Sequence, residues 1–128
     1  MITGSDADQP IADEILRAYQ GKGKIASVCG QTTVCQAGAL FSLCRLVVSN
    51  DTGPLHIAGG VGANVVGIFG PTDSIATGPK GRGRSVLIHY VPKGQRVPWI
   101  GEHFPGGWLE NLLPDEVFNR IVQEHLLE

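Results

Sequence analysis

The 128-residue sequence lacks the marks of several protein classes. No apolar run is long enough to cross a bilayer. The N-terminus has no positively charged stretch leading into an apolar core, so nothing marks a secretory signal and a cytoplasmic location is the default. Cysteine is scarce: Cys29, Cys35 and Cys44 form an odd set without C-x-x-C spacing. They fall in apolar stretches, which argues against a disulfide framework and for reduced core thiols. His56, His89, His103 and His125 are scattered, with no Cys or acid at ligand spacing, so no metal site is expected. Net charge is −2, which gives no whole-molecule attraction for nucleic acid and leaves any such claim to a local patch.

The common phosphate-binding loops are missing too. Gly59, Gly60 and Gly62 lie close together but come late in a helix candidate, so they form no G-x-G-x-x-G between strand and helix. No Gly-Lys-Ser/Thr follows a strand, which excludes a Walker A loop.

What is present is a globular balance, 42% apolar and 17% charged, in a length suited to one domain with one core. Eighteen glycines sit between apolar runs and predict many tight connections. Pro10 to Tyr19 keeps helical spacing. "KIASVC" (24–29) reads as a strand, residues 30–33 as a loop and cap, and Val34 to Leu43 as a helix. "RLVVS" (45–49) and "NVVGIFG" (64–70) read as buried parallel strands flanking a helix over Leu55 to Val61, and "SVLIHY" (85–90) as a further strand. Pro114 opens a last amphipathic helix, with Asp115 and Glu116 in its first turn and Val117, Phe118, Ile121, Val122, His125 and Leu126 on one face. Residues 91–113 hold three prolines, four glycines and both tryptophans and predict irregular backbone. Trp99 and Trp108 read as plugs of that loop onto the core, with sugar stacking or domain docking as the functional alternative. The fold class is α/β, a Rossmann-like parallel sheet with helices on both faces. The opening "MITGSD" reads as the end of a strand entering a loop, so the chain is expected to begin inside a larger fold.

The informative stretch is "SNDTGPLHIAGG", residues 49–60. It carries a strand into a helix on the edge where parallel sheets bind ligands. Pro54 suits the first helical position, and the amides of Gly53, Leu55 and His56 are expected to face outward unpaired, toward an anion. Gly53 lets backbone approach a ligand, Thr52 adds a hydroxyl, and the helix end supplies roughly half a positive charge. Asp51 fits a capping or orienting carboxylate, and a neutral His56 could donate to a ligand oxygen. The same turn also serves as an ordinary strand-to-helix connection, with His56 simply packed. A second turn, "GIFGPTDS" (67–74), brings Gly70 and Thr72 to the neighbouring strand end, as a sugar or pyrophosphate contact or as a sharp bend alone. "PKGRGRS" (79–85) clusters Lys80, Arg82 and Arg84, a patch open to nucleic acid, anionic lipid or the diphosphate itself.

Together, "LVVSNDTGPLHIAGGVGANVVGIFGPTD" resembles the nucleotide-binding segment of family 9 glycosyltransferases, the heptosyltransferases of lipopolysaccharide core assembly. There a D-[ST]-G-x-x-H turn is followed by a strand and G-P-T. "ITGSDADQPIADEIL" and "LLPDEVFNRIVQEHL" are similar to the flanking elements, while residues 80–113 match least. The resemblance implies the C-terminal, donor-binding half of a two-domain GT-B enzyme, with ADP-heptose as donor substrate, no separate cofactor, and a lipopolysaccharide core acceptor at the cytoplasmic face of the inner membrane. It assigns Thr52, Gly53, Leu55 and His56 to the donor diphosphate with Asp51 beside it. Asp8, where Glu is common, falls at the residue that accepts from the ribose hydroxyls. Gln31 and Thr32 match the loop near the nucleobase. The catalytic base of the family lies in the N-terminal domain, which this stretch does not include. The isolated chain, truncated at its N-terminus, is therefore expected to bind donor without transferring sugar. Self-association of such a piece is left open. The alternative is a non-catalytic nucleotide- or nucleic-acid-binding domain using Lys80, Arg82 and Arg84.

Overall fold

The computed structural model describes residues 1–98, 102 and 107–127; Trp99 and His103 lie outside the described residues. The chain divides into two compact units, Met1–Ala39 and Leu40–Glu128.

In the first unit a 3-10 turn over Asp6–Asp8 leads into α1, Gln9–Ala18, within one residue of the helix read from sequence. Both the Ser5 N–H and Ser5 Oγ donate to Asp8 Oδ2 at 2.7 Å, which closes the entry to the turn. The expected "KIASVC" strand and the strand end at Ile2 are reduced to one isolated parallel bridge, Ile2 to Ser27. Three backbone bonds hold it: Ile2 N to Ala26 O, Val28 N to Ile2 O, and Gly30 N to Gly4 O. Neither segment can extend the ladder, because the chain turns away after Gly4 into the 3-10 turn and at Gly30, whose φ of +68° is left-handed. α2, Val34–Ser42, runs across the division. Its start is a reciprocal cap: Gln36 N donates to Thr33 Oγ1 at 3.3 Å, and Thr33 N to Gln36 Oε1 at 2.9 Å.

The second unit holds a three-stranded parallel sheet in the order β1 (Val47–Asn50), β2 (Val65–Phe69), β3 (Ser85–His89). α3 (Gly53–Gly60) joins the first pair, α4 (Ser74–Thr77) lies between β2 and β3, and α5 (Pro114–Gln123) follows. β2 is central, with Val65, Val66 and Phe69 fully buried, as its unbroken apolar run requires. β1 is an edge of this sheet and leaves Val48 half exposed, so the expectation of a buried strand fails there. Helices cover both faces of the sheet. On one, Val66 and Val86 pack with Ile121 of α5 and Leu126. On the other, a Cβ at Gly67 would run into Leu55 of α3 and Leu87 of β3, so β2 needs a glycine where α3 crosses it.

α5 ends at Gln123, earlier than its apolar spacing predicts. His125 adopts φ +53°, His125 N bonds Val122 O, and Leu126 N bonds Ile121 O. This is a Schellman closure, which returns Leu126 to the core beside Ile121 without another helical turn.

Candidate functional site

The parallel order of β1 and β2 puts both of their C-terminal turns on one sheet edge. At the first, Asp51 N continues the ladder by donating to Ile68 O at 3.1 Å. Thr52 is the N-cap residue of α3, but its side chain makes no capping bond. The Thr52 hydroxyl turns back instead, 3.3 Å from Asn50 Oδ1 and 3.4 Å from Asn50 O. Gly53 is the first helical residue and Pro54 the second, one position later than expected. That shift corrects one expectation: the Leu55 amide is not free but donates to Thr52 O at 3.0 Å, tightening the first turn. The Leu55 side chain is fully buried under the sheet face, so this residue forms the floor of the turn.

Gly53 is different. A Cβ there would meet no atom within 4 Å, and its φ is not left-handed. Neither packing nor backbone conformation in the described chain requires a glycine at this exposed position.

Asp51 and His56 form the polar pair of the site. His56 Nε2 lies 3.2 Å from Asp51 Oδ1, with the Asp51 side chain 13% exposed and that of His56 44%. Asp51 Oδ2 accepts from Thr77 Oγ1 at 3.3 Å, so α4 reaches back from the second turn to the first. Both carboxylate oxygens therefore have a donor within the protein. A neutral His56 that donates through Nε2 to Asp51 has no second N–H, so the expected donation to a ligand oxygen needs the doubly protonated ring.

The second turn is built inward. Gly70 is buried, its missing Cβ lies against Trp108 and Leu109, and its carbonyl accepts from His89 Nε2 at 2.9 Å. Gly70 thus faces protein, and Thr72, half-buried, is the more accessible of the two residues expected here. Asp73 Oδ1 caps α4 by accepting from Ile75 N at 2.9 Å and Ala76 N at 3.4 Å. Trp108 is buried, as the plug reading expects. Asp73, Thr77 and His89 were missed by sequence reasoning. Asp73 was findable, because an Asp before Ser-Ile-Ala is an N-cap signal; the bonds of Thr77 and His89 are tertiary and leave no local trace.

In the first unit, Asp8 takes both Ser5 bonds on Oδ2, and these hold its carboxyl below the usual range. Gln31 is exposed and Thr32 half-buried in the loop after Gly30. In the second, Lys80, Arg82 and Arg84 precede β3 and so sit at the opposite sheet edge from the two turns, about 15 Å away for five-residue strands. The expectation that they could neutralise the diphosphate is corrected by that geometry. Arg84 also faces Glu124 at 3.9 Å. No described helix is long and apolar enough to cross a membrane.

A parallel sheet covered on both faces, with an accessible turn at the C-terminal ends of its strands, defines a Rossmann-like α/β fold. Residues 1–96 match the profile of Glycosyltransferase family 9 (heptosyltransferase). The chain belongs to glycosyltransferase family 9. It is 34% identical over 125 residues to lipooligosaccharide heptosyltransferase 2 of Haemophilus ducreyi, covering 94% of this chain and 35% of that protein. It is 31% identical over 120 residues to the enzyme of the same name from Campylobacter jejuni, covering 90% and 37%. The chain therefore spans little more than a third of the curated relatives it matches. Its fold is shared with a family 9 glycosyl transferase from Veillonella parvula, at TM-score 0.76 and 19% identity, and with E. coli ADP-heptose lps heptosyltransferase II, at 0.72 and 23%. Each alignment covers 98% of this chain and 35% of the other.

Proposed function

We propose that this chain binds the nucleotide-sugar donor of a heptosyltransferase, holding ADP-heptose while heptose passes to a lipopolysaccharide core. The observation that carries this reading is the start of α3. It has no side-chain cap, it opens on a glycine that the fold does not need, and it lies at the edge where parallel sheets take ligands. Family membership supplies the class of ligand, and the named relatives supply heptose and lipopolysaccharide as the chemistry to test first.

In this reading the backbone at Gly53 and the Thr52 hydroxyl meet the diphosphate, and the helix end adds roughly half a positive charge. His56 stands beside them on α3, oriented by Asp51, while Leu55 and Gly70 shape the two turns from within. Thr72 offers a hydroxyl to the sugar or pyrophosphate. Asp8 is assigned to the ribose hydroxyls, and Gln31 and Thr32 to the nucleobase, on the family resemblance. None of these residues is the base that must deprotonate an acceptor hydroxyl. The 128-residue chain is accordingly expected to bind donor and to transfer nothing by itself. Where the acceptor is a lipid-linked saccharide, the working place is the cytoplasmic face of the inner membrane.

Calorimetric titration with ADP, UDP, GDP and NAD tests the reading. A preference for ADP supports it, and absence of binding to all four at millimolar concentration overturns it. A turnover assay with ADP-heptose and acceptor tests the second part, which robust transfer by the isolated chain would refute.

A further inference from the structure

An ionised carboxylate only accepts hydrogen bonds, so the His56 nitrogen that faces Asp51, Nε2, carries a proton. In a neutral ring the lone pair is then on Nδ1. What keeps the carboxylate in that orientation is its other oxygen. Asp51 Oδ2 lies 3.3 Å from Thr77 Oγ1, a residue 26 positions away in sequence.

The Thr77 hydroxyl has one proton and a second acceptor within reach, the Asp73 carbonyl at 2.8 Å. That carbonyl already accepts the Thr77 N–H at 2.9 Å. Asp51 is the charged acceptor, and a charge-assisted bond is roughly twice as strong as a neutral one. The carbonyl is the nearer acceptor and the carboxylate the charged one, so the hydroxyl proton is shared between the two as a three-centre bond. A carboxylate tied at Oδ2 cannot rotate freely, and Oδ1 stays on His56.

We infer that Thr77 is a positioning residue that acts through Asp51 to fix His56 as its Nε2–H tautomer, leaving Nδ1 as the ring atom offered to a ligand. A neutral Nδ1 accepts, so it matches a ligand hydroxyl, as on a sugar, and not a bare phosphate oxygen. That last consequence rests on the donor-binding reading; the tautomer itself does not.

The test is the two-bond 1H–15N spectrum of the His56 ring in the labelled 128-residue chain at about pH 8, where an ordinary imidazole is neutral. The wild type is expected to show the Nε2–H pattern. Thr77→Val removes the hydroxyl at nearly constant shape and is expected to give a mixture of tautomers; Thr77→Ser restores the wild-type pattern. Asp51→Ala removes the acceptor of the Nε2 proton, is expected to give the same mixture, and keeps the test alive should Thr77→Val melt early. A wild-type ring in the Nδ1–H form overturns the inference, and so does a Thr77→Val spectrum identical to the wild type. ADP titration of the same samples separates the two readings. Loss of the tautomer result with ADP binding intact removes Thr77 from the site. Absence of ADP binding with the tautomer result intact removes the donor reading alone.

Discussion

The two turns at the C-terminal edge of the sheet are made from nearly the same residues in different order. From the last residue of β1 the chain reads Asn-Asp-Thr-Gly-Pro, and after β2 Gly-Pro-Thr-Asp. In the second turn the aspartate stands at the N-cap position, so Asp73 satisfies the first amides of α4. In the first, the aspartate stands one residue earlier. Asp51 turns to His56 and Thr77, and the start of α3 is left without a side-chain cap. The glycines divide in the same way. Gly70 is buried against Trp108 and Leu109, while Gly53 has open space where its side chain would be. A one-residue shift of a carboxylate relative to a helix start thus separates a turn whose first helical amides are held by a side chain from one whose helix start has no side-chain cap.

The sharpest way to break this contrast is to put a branched side chain at each glycine. Gly53→Val fills space that the protein leaves empty. It is expected to weaken ADP binding at least about 100-fold, roughly 2.7 kcal/mol, while changing stability by no more than about 0.5 kcal/mol. Calorimetry and thermal denaturation on one sample read both. Unchanged affinity would mean that nothing approaches Gly53. The mirror experiment is Gly70→Val. Its Cβ would start 3.4 Å from Trp108 Cβ and 3.5 Å from Leu109 Cδ2, so its γ-methyls overpack the turn. A stability loss of about 2 kcal/mol is expected, with ADP affinity of the folded fraction within threefold. A fall in affinity comparable to that of Gly53→Val would erase the distinction between the turns.

Removing the cap tests the same distinction more gently. Asp73→Ala leaves the Ile75 and Ala76 amides without their acceptor and is expected to cost about 1 kcal/mol in denaturant unfolding. Asp51→Ala removes no cap and is expected to cost less in stability while changing the His56 ring signals. Equal stability losses would show that Asp51 supports the fold as much as Asp73 does.

How far the sequence reveals this site depends on whether the governing contact is local. The unbroken apolar run of β2, the amphipathic period of α5 and the strand-turn-helix passage through Asp51 and Gly53 all follow from neighbours in the chain, and all are present. Pairing is not local. The segments at Ile2 and Ser27 have strand-like composition but form only one bridge. The spacing that carries α5 to Leu126 looks the same for a longer helix as for a Schellman closure through a left-handed His125. The site divides likewise. Asp51 and His56 are five residues apart and legible together, whereas the Thr77 and His89 bonds join segments far apart in the chain and appear only in the fold.

Asp8 gives a third carboxylate to set beside Asp51 and Asp73, and the smallest effect to measure. Ser5 Oγ and then Ser5 N–H hold its carboxyl below the usual value, 3.8, at a fully exposed position where water screens the interaction. Its folded value is depressed, so its contribution to stability is present above the unfolded value and is lost as pH falls through the folded one. Ser5→Ala removes the larger of the two bonds. The Asp8 carboxyl is expected to move up toward 3.8 in an NMR titration. Any stability difference from the wild type should appear at neutral pH and vanish in strong acid. A titration of Asp8 that ignores Ser5→Ala would mean that the backbone bond alone orients it, and would class Asp8 with the capping carboxylates and not with a ligand-facing one.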